Sequence, residues 1–241
     1  MKGETGVKKY VILFIILFVP TIAYLAFTVY QHSKLDGRFA HLPNVTYTDI
    51  DGNTVNRHVP DFKLVNQDGD TITQNDLEGK IYVADFFFTK CPSICPIMTA
   101  NLMDISQRFE QYDEFMIVSF TVDPKRDTPS VLKEYSEDRK IKNNKWQFVT
   151  GDKDSIYTAA YHYLASVQED SLAVGGFLHT ENFVLVDKEG NLRSRRDEQG
   201  NIMAVYDGTN ARHMRDLSKD ITTLIAEYKL ELRRNNEVET D

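Results

Sequence analysis

The sequence predicts an α/β domain with helices layered on a mixed central sheet, preceded by one apolar helix. Three observations carry this reading. From residue 60 onward, runs of β-branched and aromatic residues alternate with helical periodicities, the pattern of a layered α/β fold. The last two strand-like runs are joined by a tight Glu189-Gly190 turn, which adds an antiparallel pair to the sheet. The stretch from residue 10 to residue 30 carries no charge.

That stretch, YVILFIILFVPTIAYLAFTVY, has 21 residues. At about 1.5 Å rise per residue it reaches roughly 30 Å, the thickness of a bilayer core. Pro20 kinks such a helix without forbidding it. Lys2, Lys8 and Lys9 precede it. The positive-inside bias therefore sets residues 1–9 in the cytoplasm and the rest outside, on the periplasmic side of an inner membrane. A cleaved signal peptide is the competing reading, but it calls for a shorter apolar core and a small-x-small site, and no Ala-x-Ala follows. Residues 10–30 are thus expected as a retained single-pass anchor.

Residues 31–59 show little periodicity and read as a stalk with a partly ordered lead-in. The folded domain is expected over residues 60–230. DFKLVNQDGDTIT alternates apolar and polar residues around Asp68-Gly69, a hairpin signal. IYVADFFF is apolar almost throughout and reads as a buried central strand. In the next helix Met98, Leu102, Ile105 and Phe109 recur at helical spacing and form a core-facing stripe. FMIVSFTVD is a second buried strand. TPSVLKEYSEDRK begins a helix with Thr128 as cap and Pro129 at its first position. WQFVTGD, DSIYTAAYHYLA, NFVLV and the strand after Gly190 continue the alternation, and a long helix from residue 210 closes it. Residues 231–241 are expected to fray.

Charge limits the partners. The chain carries a formal charge of -8, and removing residues 1–30, with three lysines and Glu4, makes it -10. A surface this acidic speaks against nucleic acid and against docking on anionic lipid. Two cysteines in 241 residues do not make a disulfide scaffold.

Those two cysteines, Cys91 and Cys95, lie between the end of a buried strand and the start of a helix. That is where ligands bind in open α/β sheets, and a helix N-terminus favours a thiolate. If the segment is helical, residues four apart share a face about 5 to 6 Å apart. Two thiolates there can clasp a soft metal, and the same separation allows a disulfide. A purely structural bridge over so short a loop would stabilise little. A metal clasp and a redox pair both stay open at this point.

A two-sulfur site needs a further ligand. His32, His41 and His58 fall in the stalk and are expected in solvent. His162, between tyrosines, reads as packing or surface, and His213 as the opening of the last helix. His179 follows Gly175-Gly176 and precedes the strand NFVLV, which sets it on a flexible loop beside a sheet edge.

At these residues the chain resembles the Sco/SenC family, membrane-anchored thioredoxin-fold proteins of respiratory copper-site assembly. C-P-x-x-C-P appears as Cys91 to Pro96, V-D-P-x-R-D-T-P as Val122 to Pro129, and a single-histidine loop before a strand and turn as FLHTENFVLVDKEG. The three motifs come in the family's order across roughly residues 60 to 225. The resemblance implies a thioredoxin-like fold with a mixed central sheet, plus one N-terminal transmembrane helix. It implies a copper ion held by Cys91, Cys95 and His179, with Asp123 in a supporting position; a plain turn-forming role before Pro124 is the alternative for Asp123. Arg126 and Asp127 are expected to pair locally or to cap a helix. The implied partners are a respiratory oxidase copper-site subunit and a copper donor protein. Two functions follow: a metallochaperone, or an enzyme that reduces the acceptor's disulfide with the same two thiols. Lys90 and the Ser93-Ile94 interior depart from the family pattern, as does the lack of a tyrosine upstream of His179. Met98 and Met103 are assigned to packing.

Overall fold

The computed structural model describes residues 14, 17–26, 41–141, 144–170 and 176–238; for 178, 179 and 236–238 it describes the backbone only. The chain divides into two units, Met1–His41 and Leu42–Asp241. In the first, residues 14 and 17–26 are helical and expose Phe14, Leu17, Phe18, Val19 and Ile22. They fall inside the expected anchor, whose other residues lie outside the described ones. Among the described residues no helix is long and apolar enough to cross a membrane.

The second unit is built on one main sheet. Its strands are β3 (Lys63–Asn66), β4 (Thr71–Thr73), β5 (Ile81–Phe87), β6 (Phe115–Thr121), β7 (Trp146–Thr150), β10 (Asn182–Val186), β11 (Leu192–Arg193) and β12 (Tyr206–Asp207). Their order is β11-β10-β5-β6-β7-β3-β4, with β12 also on β10. β5, β6 and β7 run parallel, while β10 and β3 flank them antiparallel. All seven residues of β5 are buried, as a central strand covered on both faces requires. The parallel trio needs crossovers, and helices α1 (Cys95–Arg108) and α2 (Pro129–Asp138) supply them. α3 (Lys153–His162) follows β7, and α4 (Ala211–Val238) closes the chain.

Alternation along β5 sends side chains into two separate layers. Phe86 stacks on Phe120 at 5.0 Å, and Phe120 meets Tyr163 at 5.3 Å. On the other face Phe87 packs against Tyr135 and Phe148. The stripe Met98, Leu102, Ile105 and Phe109 is buried as its period predicts. Met103, by contrast, is 38% exposed and does not belong to the core. At the Asp68-Gly69 hairpin Asn66 Oδ1 accepts from the amides of Asp68 and Asp70, and Gly69 takes φ +88°. Thr128 caps α2 in extended conformation, but its hydroxyl bonds Ser130 rather than a helix amide.

Two features differ from the sequence reading. Residues 42–59, expected as stalk and lead-in, fold onto the domain: β1 (Thr46–Thr48) and β2 (Thr54–Asn56) form a hairpin, and Leu42, Val45 and Val59 are buried. Three isolated apolar residues show no period, so the pattern gave no sign of this. His58 is exposed, as expected, and its ring nitrogens lie 2.7 Å from Val59 O and 2.7 Å from Glu189 O. The tail expected to fray from residue 231 is helical to Val238. A further small sheet, β8 (Val167–Glu169) with β9 (Phe177–His179), stands apart from the main one.

Candidate metal centre

Strand direction gathers the singled-out residues at one edge. β5 and β6 are parallel, so the loop after Phe87 and the loop after Thr121 leave the sheet side by side. Their register pairs Phe87 with Thr121, and Val122 N donates to Phe87 O at 2.8 Å. β10 is antiparallel to β5, so its first residues arrive at that same edge. The cysteine motif follows β5, the Asp123 motif follows β6, and His179 precedes β10 by three residues.

Cys91 stands in the turn before α1, with its amide donating to Phe88 O at 3.2 Å, and Cys95 is the first residue of the helix. Residues 91–94 are therefore a bend outside the helix, and this bend brings the thiols together. Neither forms a disulfide, Cys91 is 9% and Cys95 1% exposed, and the Cys95 thiol hydrogen-bonds with Cys91. Cys91 Sγ also lies 3.9 Å from Ser93 Oγ. Burial pushes the Cys95 thiol far above its ordinary range, and the Cys91 contact adds to it, against a backbone hydrogen bond from Phe88. The helix N-terminus was expected to favour a thiolate at this pair. At Cys95 that effect loses: removing a charge from water costs more than half a dipole charge returns. In the absence of a ligand Cys95 is a neutral thiol.

The loop after β6 is tightly knit. Asp123 is 4% exposed, and its carboxylate forms an ion pair with Arg126. Burial raises its carboxyl, and the Arg126 charge works in the opposite direction. Its carbonyl accepts from the amides of Arg126 and Asp127, so the turn-forming role is also present. Asp127 does not pair with Arg126. It is 1% exposed and accepts from Thr89 N at 3.0 Å, Thr89 Oγ1 at 2.5 Å and Thr121 Oγ1 at 2.5 Å.

His179 ends β9, where its backbone pairs with Val167 on β8. Its side chain lies outside the described ones. Among the described residues no group of three or more His, Cys, Asp or Glu is placed to hold a metal ion. His162 stacks edge-on against Tyr161, and His213 Nδ1 accepts from Asp207 N at 2.9 Å, so both have structural partners. Two soft sulfur donors in contact suit a soft cation such as Cu(I).

One functional candidate escaped the sequence reading. Asp85 is buried in the middle of β5, its carboxyl pushed up to about 7 by desolvation, with Cys95 within electrostatic reach. The signal was available: a single carboxylate inside the otherwise apolar run IYVADFFF.

The chain is similar to known proteins in both sequence and fold. The SCO1/SenC family model matches residues 50–212, more than half of the chain. The SCO1 protein homolog of Bacillus subtilis is 31% identical over 140 residues, 57% of this chain and 72% of that protein. Among solved structures, BsSco is described as having a disulfide switch and as a member of the Sco family of cytochrome c oxidase assembly proteins. It superposes with a TM-score of 0.59 and 27% identity over 70% of this chain and 94% of its own. Arabidopsis thaliana ScoI, solved with copper bound, gives a TM-score of 0.55 at 24% identity over 70% of this chain and 99% of its own, a likeness of fold. The fold is the mixed α/β, thioredoxin-like one that the resemblance implied.

Proposed function

Because the chain belongs to the SCO1/SenC family, we propose that it is a copper-binding assembly factor. It delivers copper to the dinuclear copper site of a respiratory cytochrome c oxidase through Cys91, Cys95 and His179. The observation that carries this is the contact of two reduced, nearly buried thiols where the cysteine loop leaves β5. Both thiols would bind copper as thiolates, so uptake at Cys95, whose neutral form burial favours, releases a proton. Transfer proceeds by ligand exchange, with the acceptor's thiolates and imidazoles displacing these three groups in turn. Asp123 supports the site from the neighbouring loop. Residues 10–30 serve as a single-pass anchor in the inner membrane, with the domain on the periplasmic side. A copper donor protein and the oxidase copper-site subunit are the partners.

The same thiol contact favours a second reading, a thiol-disulfide oxidoreductase. The more exposed Cys91 attacks the acceptor's disulfide, Cys95 closes the Cys91–Cys95 disulfide, and the acceptor leaves with two electrons and two protons as a dithiol. The test is a titration of reduced, anaerobic full-length protein with Cu(I) against a coloured chelator. One tight equivalent, lost in Cys95→Ser and much weakened in His179→Ala, supports the copper site. Binding indifferent to His179 removes the third ligand, and little binding in any variant favours the oxidoreductase.

A further inference from the structure

The geometry points to the turn of residues 123–128 as a brace that sets the distance between the thiol pair and His179, with Arg126 as the positioning residue on the histidine side. This inference rests on the copper reading of Cys91, Cys95 and His179. The β8–β9 hairpin is a separate two-stranded sheet, so ladder hydrogen bonds to the main sheet do not fix its place. Short links to α3 and β10 and side-chain contacts, the Lys153–Glu169 ion pair among them, place it instead, and two neighbouring residues of one turn reach toward the two halves of the site.

Asp127 reaches toward the cysteines. Its carboxylate holds both the amide and the hydroxyl of Thr89, two residues before Cys91, and ties them to Thr121 at the end of β6. Arg126 reaches the other way. Its guanidinium carbon lies 5.7 Å from the centre of the Phe177 ring, two residues before His179. A Cβ added to Gly176 would stand 3.5 Å from Arg126 Nη2, so the guanidinium also lies against the backbone that enters β9. Asp123 pairs with this guanidinium from within the turn. Phe177 in turn packs on Phe88 at 5.3 Å, three residues before Cys91. The chain of contact Thr89–Asp127–Arg126–Phe177 therefore spans from one ligand loop to the other. A planar cation suits this position because it can face an aromatic ring and an acidic group together, which an ammonium cannot do as well.

The test uses the full-length protein in two parts. In the metal-free protein, Arg126→Ala should speed amide exchange across residues 167–170 and 176–180 by roughly fivefold, the value of one stacked cation. Exchange in β5 and α4 should stay as in the native chain. Arg126→Lys keeps the charge toward Asp123 and should fall between the two. In the copper titration, Arg126→Ala should weaken Cu(I) binding by a similar factor when His179 is present, and have no effect in the His179→Ala background. Unchanged exchange over residues 167–170 and 176–180 overturns the brace. An equal loss of affinity in both backgrounds overturns its action through His179. If His179→Ala alone leaves affinity intact, the three-ligand site is what fails, and the exchange result judges the brace independently.

Discussion

The Ser119 hydroxyl donates to the Asp85 carboxylate at 2.5 Å, and Trp146 Nε1 donates to that same hydroxyl at 2.9 Å. All three groups are buried, so one carboxyl is carried through the middle of the sheet by a single hydroxyl donor. One hydrogen bond does not replace the hydration of a carboxylate, which is why this group titrates near 7.

Stability should therefore fall as pH rises through that window. In the unfolded chain the carboxyl loses its proton near 3.8, in the fold near 7. Between these values the folded protein holds the extra proton, so raising pH favours unfolding, and the penalty is constant above about 7. Three pH units correspond to about 4 kcal/mol. Asp85→Asn should match the native protein near pH 4 and exceed it by a few kcal/mol at pH 8 in denaturant melts. A gap that does not change with pH would show that Asp85 is not held neutral.

Asp127→Ala should cost about 2 to 4 kcal/mol, because it strands the Thr89 amide and the Thr121 hydroxyl away from water. Asp127→Asn keeps one acceptor and should cost less. Thermal melts rank the three, and the reading fails if both variants melt with the native protein.

Arg193 is buried between Asp187 and Glu227, with Nη1 and Nη2 at 2.9 and 2.7 Å from them, and its Nε donates to Leu42 O at 2.7 Å. Arg193→Ala leaves two carboxylates without their cation and should cost roughly 3 to 5 kcal/mol. Arg193→Lys, lacking the fork, should recover only part of it. Limited proteolysis should then cut first in residues 42–59, which Arg193 helps to hold; cleavage elsewhere would argue against that link.

Oxidation to the Cys91–Cys95 disulfide should abolish Cu(I) binding, since both thiolates vanish. The fully oxidised protein, titrated beside the reduced one, checks this, and tight binding by the oxidised form would refute it.

Much of the fold was readable from pattern. IYVADFFF and FMIVSFTVD announced doubly covered strands because β-branched and aromatic runs cannot face water, and the Met98 stripe announced its helix by period. What escaped had no period to show. The Leu42–Val59 lead-in, the three-residue strands β8 and β9 and the two-residue β12 are too short for alternation to register. Arg126 and Asp127 looked like a local pair because they adjoin in sequence, yet they point to different loops.

Residue types and spacing by themselves determined that two soft donors stand at a strand-to-helix junction, that a glycine-flanked histidine precedes a late strand, and that a layered α/β domain carries both. These depend on local chemistry and hydrophobic period, which a linear chain displays. Tertiary structure decided the rest: that parallel β5 and β6 and antiparallel β10 deliver three distant loops to one edge, that Asp85 lies within reach of Cys95, and that Cys95 is a neutral thiol. Burial and charge separation depend on which distant residues come to lie together, and that is settled only when the sheet is assembled.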